Sequence, residues 1–153
     1  MDRKLKYPKV SPEPYARQSD LEHYLSAESG LEHNLLTFVR LRASLLNGCH
    51  FCIDLHTYEL KKDNETPDRI TSIADWRNTN LYTHRERAAL AWAEAITNIQ
   101  DGHVPDAIFE EVSEHFTEKE LVDLTWAVAS INAWNRMGIV FQPEFHEPRN
   151  QVS

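Results

Sequence analysis

The 153-residue chain has only two cysteines, four glycines and two methionines, no long apolar run and no cationic excess. Each shortage removes a class of protein. Two cysteines close together cannot build the multiple-disulfide framework of a small secreted domain, so a reactive or metal-binding pair in a reducing compartment is expected. A membrane helix needs about 20 predominantly apolar residues, and no window supplies them. Met1 to Val10 is charged with no apolar stretch behind it, so no signal peptide is expected and the protein is assigned to the cytoplasm. With 16 Lys+Arg against 24 Asp+Glu the net charge is -8. That field repels phosphate backbones and anionic lipid, which excludes nucleic acid and membrane as expected partners. Few glycines and no strand-like alternation between turn signals leave an all-α fold.

What is present is helical periodicity. Pro8, Pro12 and Pro14 among charges predict an extended N-terminal arm over residues 1–17, of the kind that packs on a neighbouring subunit. A helical domain follows over 18–142, and a polar tail over 143–153 is expected to end in disorder. Within the domain, helices are predicted over about 20–27 and 31–46, from the cysteines to about residue 61, over 67–77, 83–99 and 105–116, and from 117 to 141. Thr66-Pro67 reads as an N-cap followed by proline at the first helical position. Thr83 with Glu86, and Thr117 with Glu120, match the capping-box spacing. The last helix is apolar on several faces, which predicts a central place or a subunit interface for it. Trp92, Trp126 and Trp134 are expected to pack in the core or at an interface. Asn132, Asn135 and Arg136 read as a satisfied buried network or an inter-subunit contact rather than as substrate-binding residues.

The chemistry concentrates in Asn47-Gly48-Cys49-His50-Phe51-Cys52-Ile53-Asp54-Leu55-His56. At about 100° per residue, Cys49, Cys52 and His56 share one helix face. Asn47-Gly48 breaks the preceding helix, so both sulfurs lie near a helix start, where free amides stabilise a thiolate. Helical side chains lean toward the N-terminus, which carries His56 back over Cys52, where an imidazole can take or return a proton. Dipole proximity favours Cys49 as the more acidic thiol, and the histidine favours Cys52. Peroxide reduction requires this set: a thiolate to attack oxygen, an acid to protonate the leaving alkoxide, a second thiol to convert the sulfenic acid to a disulfide, and an external dithiol to reset the pair. Two inert buried cysteines are the bland alternative. Zinc lacks a second ligand pair, haem attachment would need histidine where Ile53 stands, and a thioredoxin fold would need a strand before the motif. No metal and no cofactor is expected. His50 is turned about 100° from the reactive face and reads as a partly exposed or interface residue.

The run Leu41-Arg42-Ala43-Ser44-Leu45-Leu46-Asn47-Gly48-Cys49-His50-Phe51-Cys52-Ile53-Asp54-Leu55-His56-Thr57 resembles the core motif of alkylhydroperoxidase D (AhpD)-like proteins within the carboxymuconolactone decarboxylase family. Thr83 to Ala95 and Ile131 to Arg136 match further, so the resemblance spans nearly everything beyond the N-terminal arm. It implies an all-α fold, a homo-oligomer of trimer or hexamer type, and peroxidase-like or disulfide-reductase activity. It also implies that Cys52 meets the peroxide and Cys49 resolves it. Two positions depart from the family. Its proton relay carries a glutamate twelve residues before the first cysteine, where this chain has Thr37, and Glu32 is offset by more than a quarter turn from that place. A threonine hydroxyl passes a hydrogen bond but holds no charge to raise a histidine's basicity, so weakened turnover or a shift toward disulfide exchange is expected. Phe51 stands where the best-known peroxidase members carry another histidine. The expected function is reduction of organic hydroperoxides or disulfides by Cys49, Cys52 and His56. The rivals are a lyase on the same fold, whose branches generally lack the cysteine pair, and a non-catalytic oligomeric binding module.

Overall fold

A computed structural model describes residues 1–148. The helices are α1 (Tyr7–Val10), α2 (Pro12–Ala27), α3 (His33–Asn47), α4 (His50–Lys62), α5 (Pro67–Ser72), a 3₁₀ helix (Ile73–Asn78), α6 (His84–Thr97), α7 (Asp106–His115) and α8 (Glu118–Phe141). Among the described residues there is no strand. Both predicted capping boxes form. The Thr83 and Thr117 hydroxyls accept the amides of Glu86 and Glu120, whose carboxylates accept the threonine amides at 2.8 Å.

The N-terminal arm is a correction. Residues 7–10 and 12–17 are helical where an extended chain was expected, the latter as the first turns of the helix anticipated over about 20–27. Proline is excluded from a helix interior because it lacks an N–H and clashes with the carbonyl four residues earlier. In a first turn neither penalty applies. Pro8 and Pro12 stand at the starts of their helices, and Pro14 is still in the first turn of α2. A second difference lies at 67–77, where the expected single helix divides into α5 and the 3₁₀ segment, with Asp75 outside helical dihedrals. The expected disorder at the end of the tail concerns residues 149–153, outside the described residues; residues 142–148 form no regular element.

The centre of the bundle is α3, which packs against α4, α6 and α8. Leu35, Leu36, Phe38, Val39, Leu41 and Ala43 are all buried, so α3 is enclosed on every side. Two of its buried polar groups are satisfied locally: the Thr37 hydroxyl donates to the His33 carbonyl at 3.0 Å, and Ser44 to that of Arg40 at 2.7 Å. One side of α3 joins a core with Leu25, Ala89, Trp92, Val112, Leu124 and Val128. The other side joins Leu60, Ile70, Ile73, Trp76, Tyr82 and Leu90. Truncating such a leucine to alanine costs about 2–5 kcal/mol. The last helix, α8, is enclosed on one face and open on another. Leu124, Val128 and Ile131 are buried, whereas Val122 and Trp126 are 56% exposed.

Candidate functional site

The site begins where α3 ends. Gly48 terminates that helix with φ 73°, a left-handed conformation that an L side chain would strain. The side-chain amide of Asn47 holds the turn against α8, donating to the carbonyl oxygens of Asn132 and Asn135, both at 2.9 Å. Asn135 is fully buried and donates to the Ser44 hydroxyl at 2.9 Å, closing a satisfied network between α3 and α8. The asparagines are therefore structural, and they fix the entry of the cysteine segment.

Cys49 is the N-cap of α4, and its sulfur accepts the amide of Cys52, 3.4 Å away, in the role a serine oxygen usually plays. The two cysteines are joined as a disulfide, with Cα atoms 5.3 Å apart. They are 1% and 3% exposed. Over them lies Gly138 of α8. A Cβ built there would meet Cys49 Sγ at 2.6 Å and Cys52 Sγ at 3.3 Å, so only glycine lets α8 approach the pair this closely.

A cavity of about 900 Å³ opens beside the disulfide. Cys52 lines it, and Cys49 does not. Leu55, His56 and Glu59 continue the α4 wall, Arg40 faces it from α3 and Trp134 from α8. The two ends of the chain complete the enclosure. Arg3 donates to the Val140 carbonyl at 2.8 Å, Lys4 pairs with Glu144 at 2.7 Å, and the rings of Tyr7 and Phe141 lie 5.5 Å apart. Phe51 also faces the cavity and meets Phe145 edge-on, 6.0 Å between centroids.

The polar groups of this wall form two pairs. His56 is buried, and its Nδ1 lies 2.7 Å from Glu59 Oε2. Arg40 is buried and paired with Glu22 of α2 at 2.8 Å; it also donates to Ser26 at 3.1 Å, while its Nε has no acceptor among the described residues. Burial works against the Glu59 charge. The His56 hydrogen bond, the cationic form of His56, Arg40 and the cationic form of His33 outweigh it and hold the carboxyl below its ordinary range. Among the described residues no cluster of three or more His, Cys, Asp or Glu side chains could hold a metal ion, and no helix is long and apolar enough to cross a membrane.

Of the residues singled out in the sequence, Cys52 and His56 share the cavity wall, and Cys49 is bonded behind them. His50 is exposed and does not line the cavity. Glu32 stands at the N-cap position of α3 with its carboxylate paired to Arg85 at 2.8 Å, and it does not line the cavity. Sequence reasoning missed Glu59, Arg40, Glu22 and Gly138. Only the first left a local signal, since residues three apart on a helix are neighbours.

The chain matches the carboxymuconolactone decarboxylase family over residues 12–95. An uncharacterized protein of Bacillus subtilis, YdfG, is 36% identical over 139 residues, spanning 91% of this chain and 94% of the relative. Among solved structures, a protein of unknown function from Agrobacterium tumefaciens, described as an AhpD antioxidant-defence candidate, superposes with a TM-score of 0.90. It is 38% identical and is matched over 95% of this chain and 99% of its own. An uncharacterized peroxidase-related protein from Ralstonia eutropha, described as an alkylhydroperoxidase AhpD core, shares the fold with a TM-score of 0.80 at 21% identity, over 92% of this chain and 74% of that one. The cysteine pair capping α4, the helical order around it and these likenesses agree: the chain is an AhpD-like member of the carboxymuconolactone decarboxylase family.

Proposed function

We propose that this protein is a thiol-dependent oxidoreductase that reduces organic hydroperoxides or disulfides by cycling Cys49 and Cys52 between dithiol and disulfide. The observation that carries the reading is that one sulfur of a closed pair, Cys52, borders a large cavity together with a carboxylate-bonded imidazole, His56. Cys52 is the attacking thiol because it borders the space a substrate would fill. Cys49 resolves the sulfenic acid from behind. His56, one turn after Cys52, moves the protons. A separate dithiol returns the disulfide to the reduced state. The apolar walls of Leu55, Phe51 and Trp134 suit the organic portion of such a substrate better than hydrogen peroxide. The description of the Agrobacterium relative as an antioxidant-defence candidate points the same way.

The test uses reduced protein and one equivalent of cumene hydroperoxide. Mass spectrometry is expected to find both thiols lost to an intramolecular Cys49–Cys52 disulfide, with one cumyl alcohol formed per pair. Thiols that persist, while the same protein forms the disulfide neither with hydroperoxide nor with a small-molecule disulfide, would overturn the reading.

A further inference from the structure

Position 37 offers no carboxylate. Thr37 is fully buried and its hydroxyl donates to the His33 carbonyl. The nearby acid Glu22 is committed elsewhere: Oε2 pairs with Arg40 at 2.8 Å, and Oε1 accepts from Trp134 at 3.3 Å and from Ser130. Glu59 is the one acidic side chain bonded to His56 among the described residues. Its charge is maintained by the His56 bond, Arg40 and His33 against the opposing effect of burial. An ionised carboxylate has no proton to give, so the shared hydrogen belongs to His56 Nδ1, and the neutral ring keeps Nε2 as its acceptor.

We propose that Glu59 is the positioning residue for His56, supplying from three residues downstream on α4 the carboxylate absent at position 37, and fixing Nε2 as the atom that exchanges protons with Cys52 and substrate. This rests on the thiol-redox reading. The Cys52 thiol gives its proton to Nε2, and the thiolate forms an S–O bond with the hydroperoxide. The O–O bond breaks with its electron pair on the departing oxygen, which takes the proton back from Nε2 as an alcohol. The Cys49 thiol then displaces water from the Cys52 sulfenic acid, closing the disulfide. The hydroperoxide is reduced by two electrons and the thiol pair oxidised by two. Glu59 stays ionised throughout and balances the imidazolium while the proton is in transit.

Two measurements test the proposal. Two-bond ¹H–¹⁵N correlations of the His56 ring in the oxidised protein are expected to show the Nδ1–H tautomer, with that preference lost in Glu59→Gln. Single-turnover disulfide formation with cumene hydroperoxide is expected to slow by about tenfold or more in Glu59→Gln and to recover most of its rate in Glu59→Asp, which keeps the charge. An unchanged tautomer, or a Glu59→Gln rate equal to that of an active wild-type protein, would overturn the proposal and leave the redox reading intact. A wild-type protein that forms no disulfide with oxidant overturns both.

Discussion

Around Glu94, at the seam of α3, α6 and the 3₁₀ helix, both carboxylate oxygens are committed. Oε1 accepts from Arg42 at 2.8 Å and from Trp76 at 2.9 Å, and Oε2 accepts from Arg77. Around Glu59 only Oε2 has a partner among the described residues, the imidazole of His56, and the side chain is half-buried beside a cavity. Both carboxyls are held below the ordinary glutamate range against the effect of burial, so charge state alone does not separate them. Saturation does. A carboxylate on one element whose donors come from two others ties the three together and has no capacity left for a ligand. One with a single histidine donor and space beside it has orientation to give and room to act.

That contrast can be broken or sharpened by substitution. The largest effect belongs to the site: Cys52→Ser is expected to abolish peroxide-driven disulfide formation. Cys49→Ser is expected to stop at a Cys52 sulfenic acid, which dimedone labelling followed by mass spectrometry would detect. Glu94→Gln is expected to cost about 1–3 kcal/mol in urea unfolding while leaving the rate of disulfide formation unchanged, because the largely buried Arg42 loses its charged acceptor. Gly138→Ala comes next. Helix propensity favours alanine by about 1 kcal/mol, but a Cβ 2.6 Å from Cys49 Sγ forces a shift in a buried wall. Overpacking of that kind costs about 1–3 kcal/mol, so a net loss of stability in the oxidised protein is expected from the urea midpoint. Glu59→Gln, with a half-exposed side chain, is expected to change stability by less than about 1 kcal/mol. A large loss there, or a slowed reaction in Glu94→Gln, would erase the distinction between the two carboxylates.

A pH series gives the smallest signal. The Trp76, Arg77 and Arg42 hydrogen bonds outweigh burial and depress the Glu94 carboxyl from 4.5. A group depressed in the folded state contributes stability above its unfolded value and loses it as pH falls toward the folded value. The stability gap between wild type and Glu94→Gln is therefore expected to be full at pH 7 and to shrink below about pH 4.5, as read from urea midpoints across that range.

Much of this architecture was legible because it rests on local chemistry. Thr83 with Glu86 and Thr117 with Glu120 announced α6 and α8, since a capping box uses only four consecutive residues. Pro12 and Pro14 misled, because proline rules depend on position within a helix; Ser11-Pro12 carries the same N-cap and first-turn pattern as Thr66-Pro67, and it opens α2. The His56–Glu59 pair is equally local, but polar residues three apart are common on exposed helix faces, so the spacing alone does not mark this pair as bonded. Trp126, for which core or interface packing was expected, lies outside the core of this chain, because the packing of neighbouring helices decides which face of α8 is covered.

The order of residues by itself determined that the two cysteines meet at a helix start with His56 one turn beyond Cys52, because 3.6 residues per turn and an Asn-Gly break require no distant partner. Tertiary structure alone decided which sulfur borders open space, which acid neutralises Arg40, and that Gly138 lies against the disulfide. These depend on α2 and α8 packing beside α3 and on the two chain ends meeting at Lys4 and Glu144. Contacts across 18 to 140 positions of sequence leave no trace in local periodicity.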